Sequence, residues 1–325
     1  MKVLLVTGGC GFIASNFINY YLPRNPDTHI VNIDAMYYCA SEDNVDEKIR
    51  NSPLYTLVKG NLCSKDLVDH VLNHFQVDTV IHFAAQSHVD NSFDGALQYT
   101  RDNVMATHIL LESCRQYGGI ERFIHVSTDE VYGESMLDKS EEKKTEQSVL
   151  CPTNPYAATK AAAELIAKSY YFSFKMPIII TRGNNVYGPN QYPEKLIPRF
   201  IQLLKDDKQV TIQGDGSNVR GFIHVHDVAR AFERVLDAGV IGEIYNIGTD
   251  ESEEYSVMEI ARILISKVQG ILPEAPVEEY NKWITYIPDR PYNDKRYYIS
   301  NQKLKDLGWD VTVDFDTGLN QLCVS

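Results

Sequence analysis

Short apolar runs alternate with helical patterns through the first half of the chain. KVLLVT (2–7), HIVNI (29–33), LYTLV (54–58), TVIHF (79–83), RFIHV (122–126) and PIIIT (177–181) predict strands. Stretches near 12–22, 64–75, 95–117 and 155–174 predict the helices between them. Runs this apolar, joined by helices, predict a parallel sheet covered on both faces. After Thr181 the rhythm loosens: Pro189, Pro193 and Pro198 punctuate a loop and a helix start, and GDGSN (214–218) marks a turn. Further helices are expected near 226–238, 256–268 and 314–323. The charge-rich stretch 134–150 reads as a solvated loop, and its place beside the fifth strand also suits a lid.

Length and charge narrow the picture. A chain of 325 residues exceeds a usual single domain, and 44% hydrophobic residues suffice for a sizeable core. Its net charge of −13 argues against a general nucleic-acid or anionic-membrane partner, both of which need a basic field. No apolar stretch approaches the roughly 20 residues of a membrane span. The opening MKVLLVTGG reaches two glycines after too few apolar residues for a signal peptide. Six scattered cysteines form no Cys-x-x-Cys and no metal-spaced group, so no metal site is expected and a reducing cytosol fits.

The first strand runs into Gly8-Gly9-Cys10-Gly11-Phe12-Ile13-Ala14, whose residues 9–14 fit G-x-G-x-x-G/A in a strand–turn–helix context. Glycines there let the backbone approach a pyrophosphate seated on a helix N-terminus. On its own, such a turn marks any tight strand–helix connection. Asp34, 20 residues beyond Ala14 and at the end of the second strand, stands where an acid bonds a ribose 2′-hydroxyl. A carboxylate there repels a 2′-phosphate, and 35–47 holds no Arg or Lys before Lys48, so NAD is expected over NADP.

Two further groups carry chemistry. Tyr156 and Lys160 lie four apart on one predicted helix face, where an ammonium favours the phenolate of a base. In HVSTDEVYG (125–133), Thr128 ends a strand and Asp129 and Glu130 follow at once. Adjacent strand residues point to opposite faces, so both acids can serve one site only if the strand has ended. As an acid and a base at one pH, they need environments that separate their pKa values.

VTGGCGFIAS, HFAAQSHVDNSF, HVSTDEVYGE, NPYAATKAAAE, TRGNNVYGPNQYPEKLIP, GDGSNVRGF, YNIGT and DRPYNDKRY together resemble the extended short-chain dehydrogenase/reductase superfamily over nearly the whole length. Within it the chain resembles the nucleotide-sugar 4,6-dehydratases. TRGNNVYGPNQ, GDGSNVR and RPYNDKRY look most like the dehydratase domain of rhamnose synthases acting on UDP-glucose, with the dTDP-glucose enzymes a step further away. The resemblance implies an α/β fold, a Rossmann-like doubly wound parallel sheet. Residues 1–182 would form the NAD-binding domain, with segments returning near 222–250, and 183–325 mainly the substrate domain.

It also implies roles. Gly8, Gly11, Phe12, Ile13, Asp34, Asn61, Leu62, Ala84, Ala85, Tyr156 and Lys160 would hold NAD. Thr128, Tyr156 and Lys160 would oxidise the sugar C4 hydroxyl; Glu130 would take the C5 proton and Asp129 protonate the departing C6 hydroxyl. Ser87, Thr128, Asn185, Glu194, Lys195, Arg220, Asn246 and Arg290 would hold the nucleotide diphosphate and sugar, and His88 is either a sugar contact or a satisfied structural residue. The product would be UDP-4-keto-6-deoxyglucose, on the way to a rhamnose-type sugar. A 4-epimerase needs no acid pair after Thr128, and a non-catalytic NAD-binding protein would be free to lose Tyr156, Lys160 or Glu130. The helices near 95–117 and 155–174 would form a homodimer interface. Three positions depart from the pattern: Asn61 for an adenine-reading Asp, Cys10 for Ala, and a C-terminal DTGLNQLCVS that stops where relatives commonly continue with aromatic residues.

Overall fold

The computed structural model describes residues 1–137, 142–250 and 253–324. Seven parallel strands form the central sheet, six of them the expected ones: β1 (Lys2–Thr7), β2 (Thr28–Asp34), β3 (Tyr55–Lys59), β4 (Thr79–His82), β5 (Arg122–Thr128) and β6 (Ile178–Gly183). They lie in the order β3-β2-β1-β4-β5-β6. The direction in which the chain crosses the sheet reverses between β1 and β4, and the crevice opens beyond the carboxyl ends of those strands. The seventh, edge strand comes from far downstream, Ile244–Ile247, and pairs with β6.

Alternation along β1 shows why the sheet is buried on both sides. Leu4 and Val6 join one core with Phe17 and Ile18 of the Phe12–Tyr21 helix and Phe232 of the Val225–Ala238 helix. Val3 and Leu5 join the other, with Val68 and Leu72 of the Lys65–Phe75 helix and Leu110 of the Ala106–Tyr117 helix.

The segment expected as one helix near 95–117 is interrupted. Ala96–Tyr99 runs through a π-helical stretch, Thr100–Met105, into Ala106–Tyr117. The wider turn accommodates Asp102 and Asn103 side by side as buried residues. Asn103 Nδ2 donates to the Gln86 carbonyl at 3.0 Å and to Thr159 Oγ1 at 2.9 Å, tying this stretch to the Pro155–Phe174 helix.

A second, smaller core gathers Phe200, Leu204, Ile212, Phe222, Ile260, Leu264 and Phe315. It is framed by short strands, Val219–His224 between Asn185–Tyr187 and Glu254–Ser256, and Val210–Gln213 beside Ile284–Ile287. The lid reading of 134–150 falls partly on 138–141, outside the described residues. The later part of that stretch is docked: Lys144 forms a bridge to Ile299, and the Glu146 carbonyl accepts from Arg182 at 3.2 Å. Among the described residues no helix is long and apolar enough to cross a membrane.

Candidate functional site

A cavity of about 500 Å³ lies between the sheet's carboxyl edge and the smaller unit. Its inner end is the glycine turn. Gly8 sits at φ +71°, and a Cβ there would come within 2.9 Å of the Ala84 Cα. Gly11 caps the Phe12–Tyr21 helix without any side-chain cap, and no acid occupies the first turn. The open N–H groups and the bare backbone fit a dinucleotide pyrophosphate. Asp34 ends β2, accepting from the Cys10 N–H at 2.9 Å and the Met36 N–H at 2.8 Å; burial raises its pKa despite those bonds. Its carboxylate therefore shapes the turn as well as facing the cavity. Asn61 uses Oδ1 to accept from the Cys63 N–H at 2.8 Å and Nδ2 to donate to the Tyr37 hydroxyl at 2.8 Å. Phe12, Ile13, Leu62, Ala84 and Ala85 line the same end.

At the chemical end, β5 stops at Thr128 and Asp129–Tyr132 forms a 3-10 turn. Thr128 caps that turn, its Oγ1 accepting from the Glu130 N–H at 3.4 Å and donating to Asp129 Oδ1 at 3.1 Å. Gly133 closes the turn at φ +76°, where a Cβ would lie 2.1 Å from the Cys151 carbonyl oxygen. The two acids leave the turn into different surroundings. Glu130 lines the cavity and accepts from Asn154 Nδ2 at 3.0 Å; the Tyr297 hydroxyl, which donates to Asp294 Oδ2 at 2.5 Å, lies 3.3 Å from it. Asp129, 2% exposed, accepts from Asn184 Nδ2 at 2.6 Å. Burial first, and then the Glu130 charge, push its carboxyl up to about 7.

Tyr156 and Lys160 share the buried face of the Pro155–Phe174 helix. Lys160 donates to the Val126 carbonyl at 2.7 Å, and burial brings its ammonium down to about 8. Tyr156 is hydrogen-bonded to Thr128, yet burial and the Glu130 charge raise its pKa. The expected bias towards phenolate is thus not supplied by the protein's own groups: desolvation and a nearby carboxylate outweigh the favourable influence of Thr128.

The remaining positions divide. Ser87, His88, Asn185, Glu194, Lys195, Arg220 and Arg290 all line the cavity. Lys195 donates to the Ser87 carbonyl at 2.7 Å, and Glu194 accepts from the Tyr38 hydroxyl at 2.9 Å. His88 Nδ1 stands 3.9 Å from Glu194 Oε2. Arg220 and Arg290 both reach Asn293 Oδ1, which holds the two guanidiniums together. Asn246 stands apart from these positions. It is fully buried in the edge strand, with Oδ1 accepting from Tyr132 at 2.8 Å and Nδ2 donating to the Ser300 carbonyl at 3.0 Å. Its polar atoms are used inside the protein, away from the cavity wall.

Three side chains at the acids were not foreseen: Asn154, Asn184 and Tyr297. Asn154 alone left a signal, as the residue before Pro155 at a helix start, where Asn is a favoured cap. Asn184 and Tyr297 reach Asp129 and Glu130 only through tertiary folding.

Strand order, crevice and helical layers define the extended short-chain dehydrogenase/reductase fold. The family model for GDP-mannose 4,6 dehydratase matches residues 5–322, and the chain belongs to that family. It is 48% identical over 320 residues to a trifunctional UDP-glucose 4,6-dehydratase/UDP-4-keto-6-deoxy-D-glucose 3,5-epimerase/UDP-4-keto-L-rhamnose reductase of Arabidopsis thaliana. That match covers 98% of this chain and 46% of the relative, so the chain spans about half the length of that protein. It is 44% identical to the dTDP-D-glucose 4,6-dehydratase of Mus musculus, over 98% of this chain and 87% of the relative. Among solved structures, the dTDP-glucose 4,6-dehydratase of Streptomyces venezuelae, with NAD bound, superposes with a TM-score of 0.91 at 36% identity, covering 99% of this chain and 96% of that one.

Proposed function

We propose that the chain catalyses the NAD-dependent 4,6-dehydration of UDP-glucose to UDP-4-keto-6-deoxyglucose, towards UDP-rhamnose-type sugars. The observation that carries this is the split acid pair: a buried Asp129 with its carboxyl pushed up to about 7, beside a cavity-facing Glu130 on one turn. An acid and a base are thereby available together near neutral pH. A 4-epimerase has no use for such a pair.

NAD would be held by Gly8, Gly11, Phe12, Ile13, Asp34, Asn61, Leu62, Ala84 and Ala85, with Tyr156 and Lys160 at its reactive end. When bound it supplies the hydride acceptor and donor, and a positive ring that favours the Tyr156 phenolate. Tyr156, bonded to Thr128 with Lys160 on the same helix face, removes the C4 hydroxyl proton. The 4-ketone acidifies the C5 proton, which Glu130 takes. Asp129, protonated below about 7, gives its proton to the departing C6 hydroxyl, and water leaves. Arg220, Arg290 and Lys195 supply the cations for a diphosphate in an otherwise acidic protein.

UDP-glucose is preferred over dTDP-glucose because the Arabidopsis relative that names it shares the higher identity, 48% against 44% for the mouse protein. A homodimer is proposed through Leu97 of Ala96–Tyr99, Met105 of the π-helical stretch, and Leu165 and Phe172 of the Pro155–Phe174 helix, all exposed. The test incubates purified protein separately with UDP-glucose and dTDP-glucose and follows mass. Loss of one water without net reduced cofactor is expected, faster with UDP-glucose. Recovery of both sugars intact, or of a C4 epimer alone, overturns the reading.

A further inference from the structure

Beneath the two catalytic pairs lies one guanidinium that touches the supports of both. Glu164 follows Tyr156 and Lys160 at four-residue spacing on the same helix, and it is fully buried. Its carboxylate pairs with Arg182 of β6, 1% exposed: Nε donates to Oε2 at 3.0 Å and Nη2 donates to Oε1. The third nitrogen faces the other way. Arg182 Nη1 donates to the Tyr132 hydroxyl at 2.6 Å and to the Glu146 carbonyl at 3.2 Å. Tyr132 is the last residue of the turn that begins with Asp129 and Glu130, and its own proton goes to Asn246 Oδ1 at 2.8 Å.

The far side of the turn is held by the same assembly. Asn246 donates its backbone N–H to Glu146 Oε1 at 3.0 Å and its Nδ2 to the Ser300 carbonyl. Lys144 pairs along 298–300, its N–H donating to the Tyr298 carbonyl at 2.7 Å and its carbonyl accepting from Ser300. The neighbouring Tyr297 donates its hydroxyl proton to Asp294 Oδ2 at 2.5 Å and has the same oxygen 3.3 Å from Glu130 Oε2. Arg182 therefore stands where the catalytic helix, the acid turn and residues 144–146 meet. Its rigid fork cannot follow one of them away without leaving a buried donor or acceptor unmade.

We infer that Arg182 is a positioning residue: through Glu164 and Tyr132 it sets the relative placement of the Tyr156/Lys160 pair and the Asp129/Glu130 pair. The inference rests on the dehydratase reading, in which the two pairs act in succession on one bound sugar. Oxidation at C4 uses the helix side of the fork and Thr128, which ends β5 ahead of the turn. Elimination across C5 and C6 requires the turn to stay in register with a sugar already placed by that helix. A strut that served stability alone would couple to neither step selectively.

Arg182→Lys leaves Glu164 partly unpaired and can fail to fold, so the decisive variant is Tyr132→Phe, which removes one hydroxyl and keeps the ring. With holoenzyme and UDP-glucose, reduced-nicotinamide absorbance reports C4 oxidation and mass spectrometry reports water loss. Tyr132→Phe is expected to slow water loss on the order of tenfold or more, because misplacement of a reacting group by an ångström can cost far more than binding does. C4 oxidation and KM should stay within about twofold, so reduced cofactor accumulates. Equal slowing of both steps, or none, overturns the assignment. A wild-type protein that produces no dehydrated sugar overturns the dehydratase reading, and this inference with it.

Discussion

Asn154 binds Glu130 with one end of its amide and the Pro155–Phe174 helix with the other. Its Nδ2 donates to Glu130 Oε2 at 3.0 Å, while its Oδ1 caps the helix by accepting from the Ala157 N–H at 2.8 Å. A single side chain thus ties the proposed C5 base to the helix that carries Tyr156 and Lys160. The two functions separate by substitution. Asn154→Ala loses both, and the missing cap costs about 1 kcal/mol. Asn154→Asp keeps the cap but sets a carboxylate against Glu130 in place of a donor. Its kcat should fall by on the order of tenfold or more and its melting temperature should fall as well, recovering at a pH low enough to protonate one of the pair, since two carboxylates in contact repel. Thermal melts and steady-state rates on both variants check this; an unimpaired Asn154→Asp would remove the amide's role at Glu130.

The Asp129 carboxyl gives a pH signature with a definite sign. Burial raises its folded value from 3.8 to about 7, with the Glu130 charge adding to the rise. Between those values the folded protein holds a proton that the unfolded chain releases. The stability from this group is complete below 3.8 and is lost as pH rises through about 7. Asp129→Asn, which cannot ionise, should melt increasingly above wild type as the pH is raised from about 4 to about 8. In wild type, kcat/KM for the proposed dehydration should fall above about 7, as the proton that Asp129 is proposed to donate is lost. A melting difference that does not change with pH would place the titration elsewhere.

How far these relationships could be read from the chain depends on how local they are. The first six strands, the glycine turn, Asp34 and the Thr128-Asp129-Glu130 step follow from period, turn residues and spacing, all set by near neighbours. The seventh strand, Ile244–Ile247, is four residues long between glycines, and only its pairing with β6 identifies it. The π-helical stretch at Thr100–Met105 was not visible because its apolar spacing also satisfies an α-helix. Asn246 shows the limit of motif matching: a motif marks a position, while the fold decides which way the side chain is used. The same limit hid the second bond of Asn154, whose capping role was legible.

The cysteines divide by access and ionisation. Cys10 is fully buried under the glycine turn, and burial followed by the Asp34 charge pushes its thiol up to about 12. Cys114 is also buried and raised by the same desolvation. Cys151 is exposed. Thiolate is the reacting species, so an alkylating reagent near neutral pH should modify Cys151 first and leave Cys10 and Cys114 untouched until the protein is denatured. Peptide mapping after timed labelling gives the order. Early modification of Cys10 would mean that the turn opens far more readily than its packing implies.

Glu130→Gln tests the division of labour in the acid pair. The amide matches the carboxylate in shape and can still meet Asn154 and Tyr297, but it cannot take the C5 proton. Because Tyr156, Thr128 and Lys160 are untouched, C4 oxidation should persist. Removal of the Glu130 charge, the second largest influence raising the Tyr156 pKa, should even ease deprotonation of the phenol. Elimination then stalls: water loss by mass spectrometry should drop at least about a hundredfold, the scale of general-base catalysis. Reduced nicotinamide should accumulate towards one equivalent per site. Solvent deuterium entering the sugar at C5 should vanish with it, which separates a missing base from a missing acid. Normal dehydration by Glu130→Gln would remove Glu130 from the reaction and require another base to be found among the cavity-lining residues.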